Sequence, residues 1–358
     1  PGDTVSRVGG DEFVIVLEHV SGEDEVQPII RRLEEALAVP LRIGNRTVSV
    51  RLSMGLAFSS DPSPEVSPSA AGRALIQAAD LAMYQRKSRG GRALAGVSLG
   101  RLQTLAADLR GAVGRGEIAV QYQPQVDLAH GGWVAVEALV RWIHPVLGTV
   151  YPDEFIPIAE MNGEIGAIGH FVVRQACRDV ARLRTGAPGL RLSVNVSSEE
   201  LDFPGFVANV MAALADASLP AGALTLEVAE SRLPADRAAA LGRLAEAAAN
   251  GIGVAIDDFG ADPTSLSQLR ELPLTELKVH RSAVQLPAAE RLDLLAGIVG
   301  FARGFGLRTV AVGVGSDDEL ARARAVGFDR AQGFALAAPM PLDELARRLT
   351  ARVQVAAD

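Results

Sequence analysis

Residues 253–266 read G-V-A-I-D-D-F-G-A-D-P-T-S-L: an apolar run closes on two adjacent carboxylates, Asp257 and Asp258, and drops into a loop. Such a pair either terminates a strand and caps the helix that follows, or it holds a cation. The neighbouring runs decide between the two. From residue 101 onward, short apolar runs alternate with amphipathic stretches of roughly ten to fifteen residues. The runs are I-A-V-Q-Y-Q-P (118–124), V-A-V-E-A-L-V-R-W (134–142), L-R-L-S-V-N-V-S (190–197), L-T-L-E-V-A-E (224–230), G-V-A-I-D-D-F (253–259), L-T-E-L-K-V-H (274–280), L-R-T-V-A-V-G-V (307–314) and R-A-Q-G-F-A (330–335). Eight strands, most followed by a helix, over about 250 residues predict an α/β fold of the (β/α)8 barrel type. An open doubly wound sheet is the alternative.

Most of these runs carry a polar residue at or near the C-terminal end, where barrel proteins assemble their sites. They are Gln123, Glu137, Asn195, Glu227, Asp257 with Asp258, Lys278 and Gln332. One polar strand end is ordinary helix capping; a set on successive strands of one barrel converges on a single mouth. Carboxylates with a carboxamide suit a hard divalent cation such as Mg²⁺ or Mn²⁺ rather than zinc. The five histidines are not paired at ligand spacing. Adjacent carboxylates would serve two ions in phosphoryl chemistry, and Lys278, set inside the apolar run L-K-V, would fix a positive charge beside a phosphate or an attacking water.

The chain has 358 residues, which suits two domains. It is 48% hydrophobic and 22% charged, with a mean hydropathy of +0.19, enough apolar material for two cores. The net charge of −8 and the lack of a long Lys/Arg block exclude a duplex-binding face and a polybasic membrane patch. Cys177 is the single cysteine, so no intrachain disulfide forms; it is expected to be a buried small hydrophobe. No run reaches the roughly 18 apolar residues of a membrane helix and no signal peptide is evident, so the chain reads as cytoplasmic. It starts at Pro1 on a strand-like segment, and further sequence is expected upstream.

Residues 5–17, V-S-R-V-G-G-D-E-F-V-I-V-L, predict a hairpin turning at Gly9-Gly10-Asp11. A helix is expected at 26–38, a strand pair or bent strand at 46–58, a loop at 61–69 and a helix at 71–88.

With these motifs in place, Y-Q-P-Q-V-D-L, V-E-A-L-V-R-W-I-H-P, F-I-P-I-A-E, S-V-N-V-S, L-E-V-A-E-S, I-D-D-F-G, L-K-V and A-Q-G-F resemble, in order and spacing, the EAL domain of bacterial cyclic di-GMP phosphodiesterases. The N-terminal region, with R-V-G-G-D-E-F and A-D-L-A-M-Y-Q-R-K-S-R-G-G-R, is similar to the second half of a GGDEF (diguanylate cyclase) domain. The resemblance implies a partial α+β GGDEF domain over 1–95 and an EAL barrel over 96–358 that binds cyclic di-GMP across its mouth and cleaves one phosphodiester with Mg²⁺ or Mn²⁺. By position, Glu137, Asn195, Glu227 and Asp257 would ligate a first metal, with Asp257 and Asp258 reaching a second. Lys278 would align the water, Gln123 and Arg141 would contact the nucleotide, Gln332 would hydrogen-bond near the site, and Glu230 would steady the loop after Asp258. In the GGDEF motif, Gly9, Gly10, Asp11, Glu12 and Phe13 are intact. The family's preceding metal-binding strand is not in this chain, so this half is not expected to act as a cyclase. Asp3 falls where the inhibitory Arg-x-x-Asp motif would end.

Three departures bear on activity. The family's Ala-Glu-Gly-Val-Glu is A-V-G-V-G here (311–315), so Val312 replaces a metal-site glutamate. The loop reads F-G-A-D-P-T-S, and Pro263 stiffens it. His280 stands where an aspartate is common. The leading expectation is therefore a cyclic di-GMP-binding EAL domain with weak or no hydrolysis and one metal ion rather than two. A working phosphodiesterase with Asp262 or Asp317 in the missing role is the alternative, and a protein-interaction scaffold without nucleotide is a third. Relatives pair through barrel helices near the altered loop, so a homodimer through the barrel is expected, though weakened.

Overall fold

The structure is a computed structural model. It describes the chain apart from residues 1, 10–11, 21, 39–40, 44–45, 49–52, 60–71, 73–74, 77, 80–81, 84–96, 230–236, 261–270, 286–287 and 356–358. The chain divides into two compact units, 1–110 with 153–158, and 111–152 with 159–358.

In the first unit, β1 (Thr4–Gly9) and β2 (Glu12–Val16) form the expected antiparallel hairpin. Its turn residues Gly10 and Asp11 lie outside the described residues. Helix α1 (Glu23–Ala38) buries Val26 and Ile30, four residues apart and hence on one face. Where one strand pair or bent strand was expected at 46–58, β3 (Leu41–Ile43) pairs antiparallel with β4 (Arg46–Val48), and β5 (Ala57–Phe58) pairs parallel with β6 (Val97–Ser98). Of the helix expected at 71–88, residues 72, 75, 76, 78, 79, 82 and 83 are helical, with Ala78 and Ala82 buried. The loop expected at 61–69 lies outside the described residues. Helix α2 (Leu99–Leu109) completes this unit, and Arg101 in it pairs with Glu154 at 2.8 Å.

The second unit is the barrel. Strands β7 (Ile118–Asp127) and β8 (Trp133–His144) are followed by β9 (Gly148–Val150), by α3 (Pro152–Asn162), whose residues 153–158 group with the first unit, and by α4 (Ile165–Leu183). Then come β10 (Arg191–Val196), α5 (Ser198–Asp202), α6 (Phe206–Ala217), β11 (Leu224–Ala229), α7 (Arg237–Ala249) and β12 (Gly253–Phe259). The chain continues through β13 (Glu276–Val279), α8 (Arg281–Val284), α9 (Ala288–Gly304), β14 (Arg308–Val312), α10 (Asp317–Val326), β15 (Arg330–Gln332) and α11 (Leu342–Val355). The sheet runs β10-β11-β12-β13-β14-β15-β7-β8 and closes through β10–β8, so all eight expected runs are barrel strands, and β9 extends the edge of β8.

One expectation needs correcting. Strand β7 runs antiparallel to both β15 and β8, whereas a regular (β/α)8 barrel is wholly parallel. The reason is the connection: a parallel return needs a crossover of a dozen or more residues, and Asp127 and Trp133 are joined by a tight turn. Asp127 Oδ1 accepts from the backbone N–H of Ala129 and His130, Gly131 N–H donates to the Asp127 carbonyl, and Gly131 supplies the positive φ of 78°. As a result Gln123 lies mid-strand, paired in register with Glu137, rather than at a C-terminal end.

The helices bury apolar stripes against the sheet. In α4 the stripe includes Ile165, Ile168, Val172, Ala176 and Cys177. Burial pushes the Cys177 thiol up to about 12, consistent with an inert core residue. Close to the mouth, Gly333 lets β15 approach β14: a Cβ there would overlap the backbone oxygen and nitrogen of Val314. Backbone cannot yield as a side-chain tip can, so Gly333→Ala is expected to cost about 3 kcal/mol. Urea denaturation would measure it, and parental stability would mean that the two strands pack more loosely. No helix among the described residues is long and apolar enough to cross a membrane.

Candidate functional site

Side chains alternate across a strand, so polar residues two apart point to the same face. Gln123 and Gln125 in β7, Glu276 and Lys278 in β13, and Arg330 and Gln332 in β15 are such pairs, and all six enter one interior hydrogen-bond system. Its centre is Lys278, only 1% exposed. The ammonium donates to Glu137 Oε2 at 3.0 Å, to Asp257 Oδ2 at 3.2 Å and to Glu227 Oε2, which accounts for its three N–H groups. A surface lysine with its head in water is thus ruled out.

Glu137 is the second hub. Its Oε1 accepts from Asn195 Nδ2 at 2.7 Å and its Oε2 also accepts from Gln332 Nε2 at 2.7 Å. Gln332 Nε2 donates as well to Gln123 Oε1 at 2.9 Å, and Gln123 Nε2 donates to the Ala337 carbonyl. Below this layer, Gln125 Nε2 donates to Gln332 Oε1, and Arg330 bridges Gln125 to Glu276, which Arg308 also holds at 2.9 Å. Gln125, Glu276, Arg308 and Arg330 were not singled out from the sequence; the spacing of two within apolar runs was the available signal for three of them.

Ligand oxygens of Glu137, Glu227 and Asp257 all lie within 4.8 Å of one another. Glu227 Oε1 is buried and accepts no hydrogen bond among the described residues. Three close carboxylates with one orphaned oxygen form a donor set that fits a hard divalent cation, and the Asn195 carboxamide has its oxygen left for the same role. The electrostatics are those of three acids around one base. Burial, then the charge of Glu137, pushes Glu227 well above the usual carboxylate range. Burial also lifts Asp257 to about 6. For Glu137, burial is outweighed by Lys278 and the surrounding donors, which hold its carboxyl below the ordinary value. Burial opposes the Lys278 charge too, but the facing carboxylates outweigh it and raise that ammonium well above its ordinary value.

Asp258 adjoins this cluster, its backbone N–H donating to Asp257 Oδ1 at 2.8 Å. Asp258 is exposed, with its backbone in the left-handed region at φ 60°, a strained conformation for a non-glycine residue. His280 Nε2 is 3.9 Å from Asp258 Oδ1, while His280 Nδ1 accepts the Ser282 N–H as the cap of α8. Arg141, four residues beyond Glu137 on the same face of β8, donates to Gln121 Oε1 and the Val140 carbonyl, and its guanidinium lies 5.4 Å from the Tyr151 ring centroid. Val312 pairs in register with Gln332, and Val310 beside it pairs with Lys278. An inward side chain at 312 therefore stands one pleat above Lys278, between Lys278 and Gln332. Asp317 is exposed in the first turn of α10. Glu230 and residues 261–264, Asp262 included, lie outside the described residues.

Comparison with known proteins bears on this arrangement. Residues 106–339 match the EAL domain family, and residues 1–93 match the diguanylate cyclase GGDEF domain family. The chain is 34% identical over 354 residues to the bifunctional diguanylate cyclase/cyclic di-GMP phosphodiesterase MucR of Pseudomonas aeruginosa, covering 96% of this chain and 50% of that protein. It is also 34% identical to the cyclic di-GMP phosphodiesterase NbdA of the same organism, covering 98% of this chain and 45% of NbdA. The chain thus spans half or less of these relatives' length. Among solved structures, one titled PaMucR phosphodiesterase, c-di-GMP complex, aligns with a TM-score of 0.64 and 36% identity, covering 68% of this chain and 99% of that one. The order of the matched regions, the closed barrel and the strand-borne acidic cluster agree: this chain belongs to the EAL domain family, with part of a GGDEF domain preceding its barrel.

Proposed function

We propose that the barrel mouth binds cyclic di-GMP together with one Mg²⁺ or Mn²⁺ ion and hydrolyses the nucleotide weakly or not at all. The observation that carries this reading is Val312, an isopropyl group one pleat above Lys278 where a further carboxylate would complete the acidic set. The activities that MucR and NbdA are named for supply the nucleotide. Glu137, Asn195, Glu227 and Asp257 would hold the ion. Asp257 and Asp258 alone would remain for a second, with Asp258 facing solvent.

A bound ion would supply Lewis-acid polarisation of a phosphoryl oxygen and a water of lowered pKa. The chain's own residues do the rest. Gln332 and Asn195 hold both oxygens of Glu137 in place, Lys278 keeps a positive charge at the base of the mouth, and Arg141 with Gln123 would contact the nucleotide. Without a carboxylate at 312 nothing from β14 draws a proton from the attacking water or shares a second ion. We take the GGDEF portion that precedes the barrel as residues 1–95.

Calorimetry with cyclic di-GMP, with and without Mg²⁺, combined with a product assay, tests the proposal. Saturable binding with little linear dinucleotide is expected, and Glu137→Ala should weaken metal-dependent binding at least about tenfold, as loss of a charged ligand would. Efficient conversion to the linear dinucleotide would instead favour the second reading, an active phosphodiesterase, which rests on the retained set of Glu137, Asn195, Glu227, Asp257, Asp258 and Lys278. Absence of any ligand-dependent rise in melting temperature would leave only a scaffold role.

A further inference from the structure

Outside the mouth, the second unit holds a cavity of about 540 Å³ between the N-terminal parts of α4 and α6, with α5 and the end of α3 closing it. That volume lies within the range of small-molecule sites. Its walls are apolar: Ile165 and Val173 from α4, Phe203 following α5, and Phe206 and Val210 from α6. Phe203 is 55% exposed, a large hydrophobic surface at the rim.

Into this apolar space projects a carboxylate. Glu200 is 8% exposed and completes the capping box of α5, its Oε2 accepting from the Ser197 N–H at 3.0 Å and from the Ser197 hydroxyl at 2.9 Å. Its Oε1 has no hydrogen-bond partner among the described residues. That oxygen lies against α4 at Gly169, where a Cβ would overlap it, so the helix carries no side chain at the point where the carboxyl needs room. Glu160 from α3 and Glu199 from α5 line the same cavity, with His170 from α4 at its edge.

These features narrow the occupant. An anion would face three carboxylates. A neutral apolar molecule would seal Glu200 Oε1 from water unpaired, at a substantial desolvation cost. A metal ion needs three or more ligands close together, and the one such group among the described residues is Glu137, Glu227 and Asp257. We propose that this lateral cavity binds a small organic cation, a primary ammonium carried on an aromatic or alkyl body, with Glu200 as its counter-ion. Burial lifts Glu200 to about 7, Ser197 opposes this, and Glu160 and Glu199 add to it. Ammonium binding needs the ionised carboxylate, so affinity rises as pH passes through about 7. The inference is independent of what the mouth binds.

The test is titration of the full chain at pH 8 with phenethylammonium, followed by amide NMR and calorimetry, alongside the isosteric neutral 2-phenylethanol. Saturable ammonium binding, with the alcohol about tenfold weaker for want of the charged hydrogen bond, is expected. Glu200→Gln removes the counter-ion. Gly166→Trp fills the cavity from a helical position where a Cβ meets nothing within 4 Å. Loss of about tenfold in affinity in a variant that melts like the parent supports the site. Equal binding of amine and alcohol, or amine binding untouched by both variants, overturns it.

Discussion

Lys278→Met is expected to destabilise the metal-free protein by about 3–5 kcal/mol, and a divalent cation is expected to return most of that loss. The ammonium is the one cation touching Glu137, Glu227 and Asp257 among the described residues, and all four groups are buried or largely so. Methionine keeps the length of the side chain but leaves three carboxylates facing one another without a counter-charge. Such a cluster either takes up protons or takes up a metal. With Mn²⁺ at about one hundred times its dissociation constant, binding restores roughly 2.7 kcal/mol. In the parent protein the ion must displace Lys278 from part of its pairing, so the Mn²⁺-induced rise in melting temperature should be larger in the variant. Thermal and urea unfolding with chelator and with Mn²⁺ measure both effects. Parental stability of the variant in chelator, or a loss that no divalent ion touches, would remove the quartet from any role in cation binding.

The same cluster sets a pH dependence. Asp257 is raised to about 6 from an ordinary 3.8, so between those values the folded metal-free protein holds a proton that the unfolded chain has lost. The stability contributed by this group is present below about 4 and is lost as pH rises through about 6. Metal uptake runs the opposite way, because the ion binds the ionised carboxylate and releases the proton. Mn²⁺ affinity should therefore climb across this window, and affinities that are flat from pH 5 to about 7 would contradict the ligand assignment.

The second large effect is a gain. Val312→Glu is expected to raise cyclic di-GMP hydrolysis by about 100-fold or more, since a metal-activated nucleophile is worth several kcal/mol and each 1.4 kcal/mol is a factor of ten. Register places residue 312 beside Gln332 and one pleat above Lys278, so a glutamate there extends toward the existing acids without moving any strand. Two readouts should move together: turnover to the linear dinucleotide, and Mn²⁺ stoichiometry from one to two per barrel. A parent that already binds two ions, or a variant unchanged in both readouts, would show that the valine is not what limits the site.

Much of this molecule was legible in the chain. The eight barrel runs were readable because each strand is short, apolar and bounded by turn residues. The convergence of Glu137, Asn195, Glu227, Asp257, Lys278 and Gln332 followed because barrel closure gathers strand ends whatever the intervening loops do. The direction of β7 was not read, although D-L-A-H-G-G carries a tight-turn signal; apolar content specifies a strand but not which way it runs, and the length of the connection decides that.

By itself, then, the sequence determined the barrel, the family and the identity of the acids at the mouth, since alternation and strand order are local properties of the chain. Only the tertiary structure decided that Lys278 occupies the centre of those acids, 141 residues from Glu137 in sequence, that Asp258 beside them is left exposed, and that a carboxylate lines an apolar cavity on the flank. Those facts depend on barrel register, on which side chain reaches the common centre, and on how helices distant in the chain pack, and no periodicity along a single strand encodes any of the three.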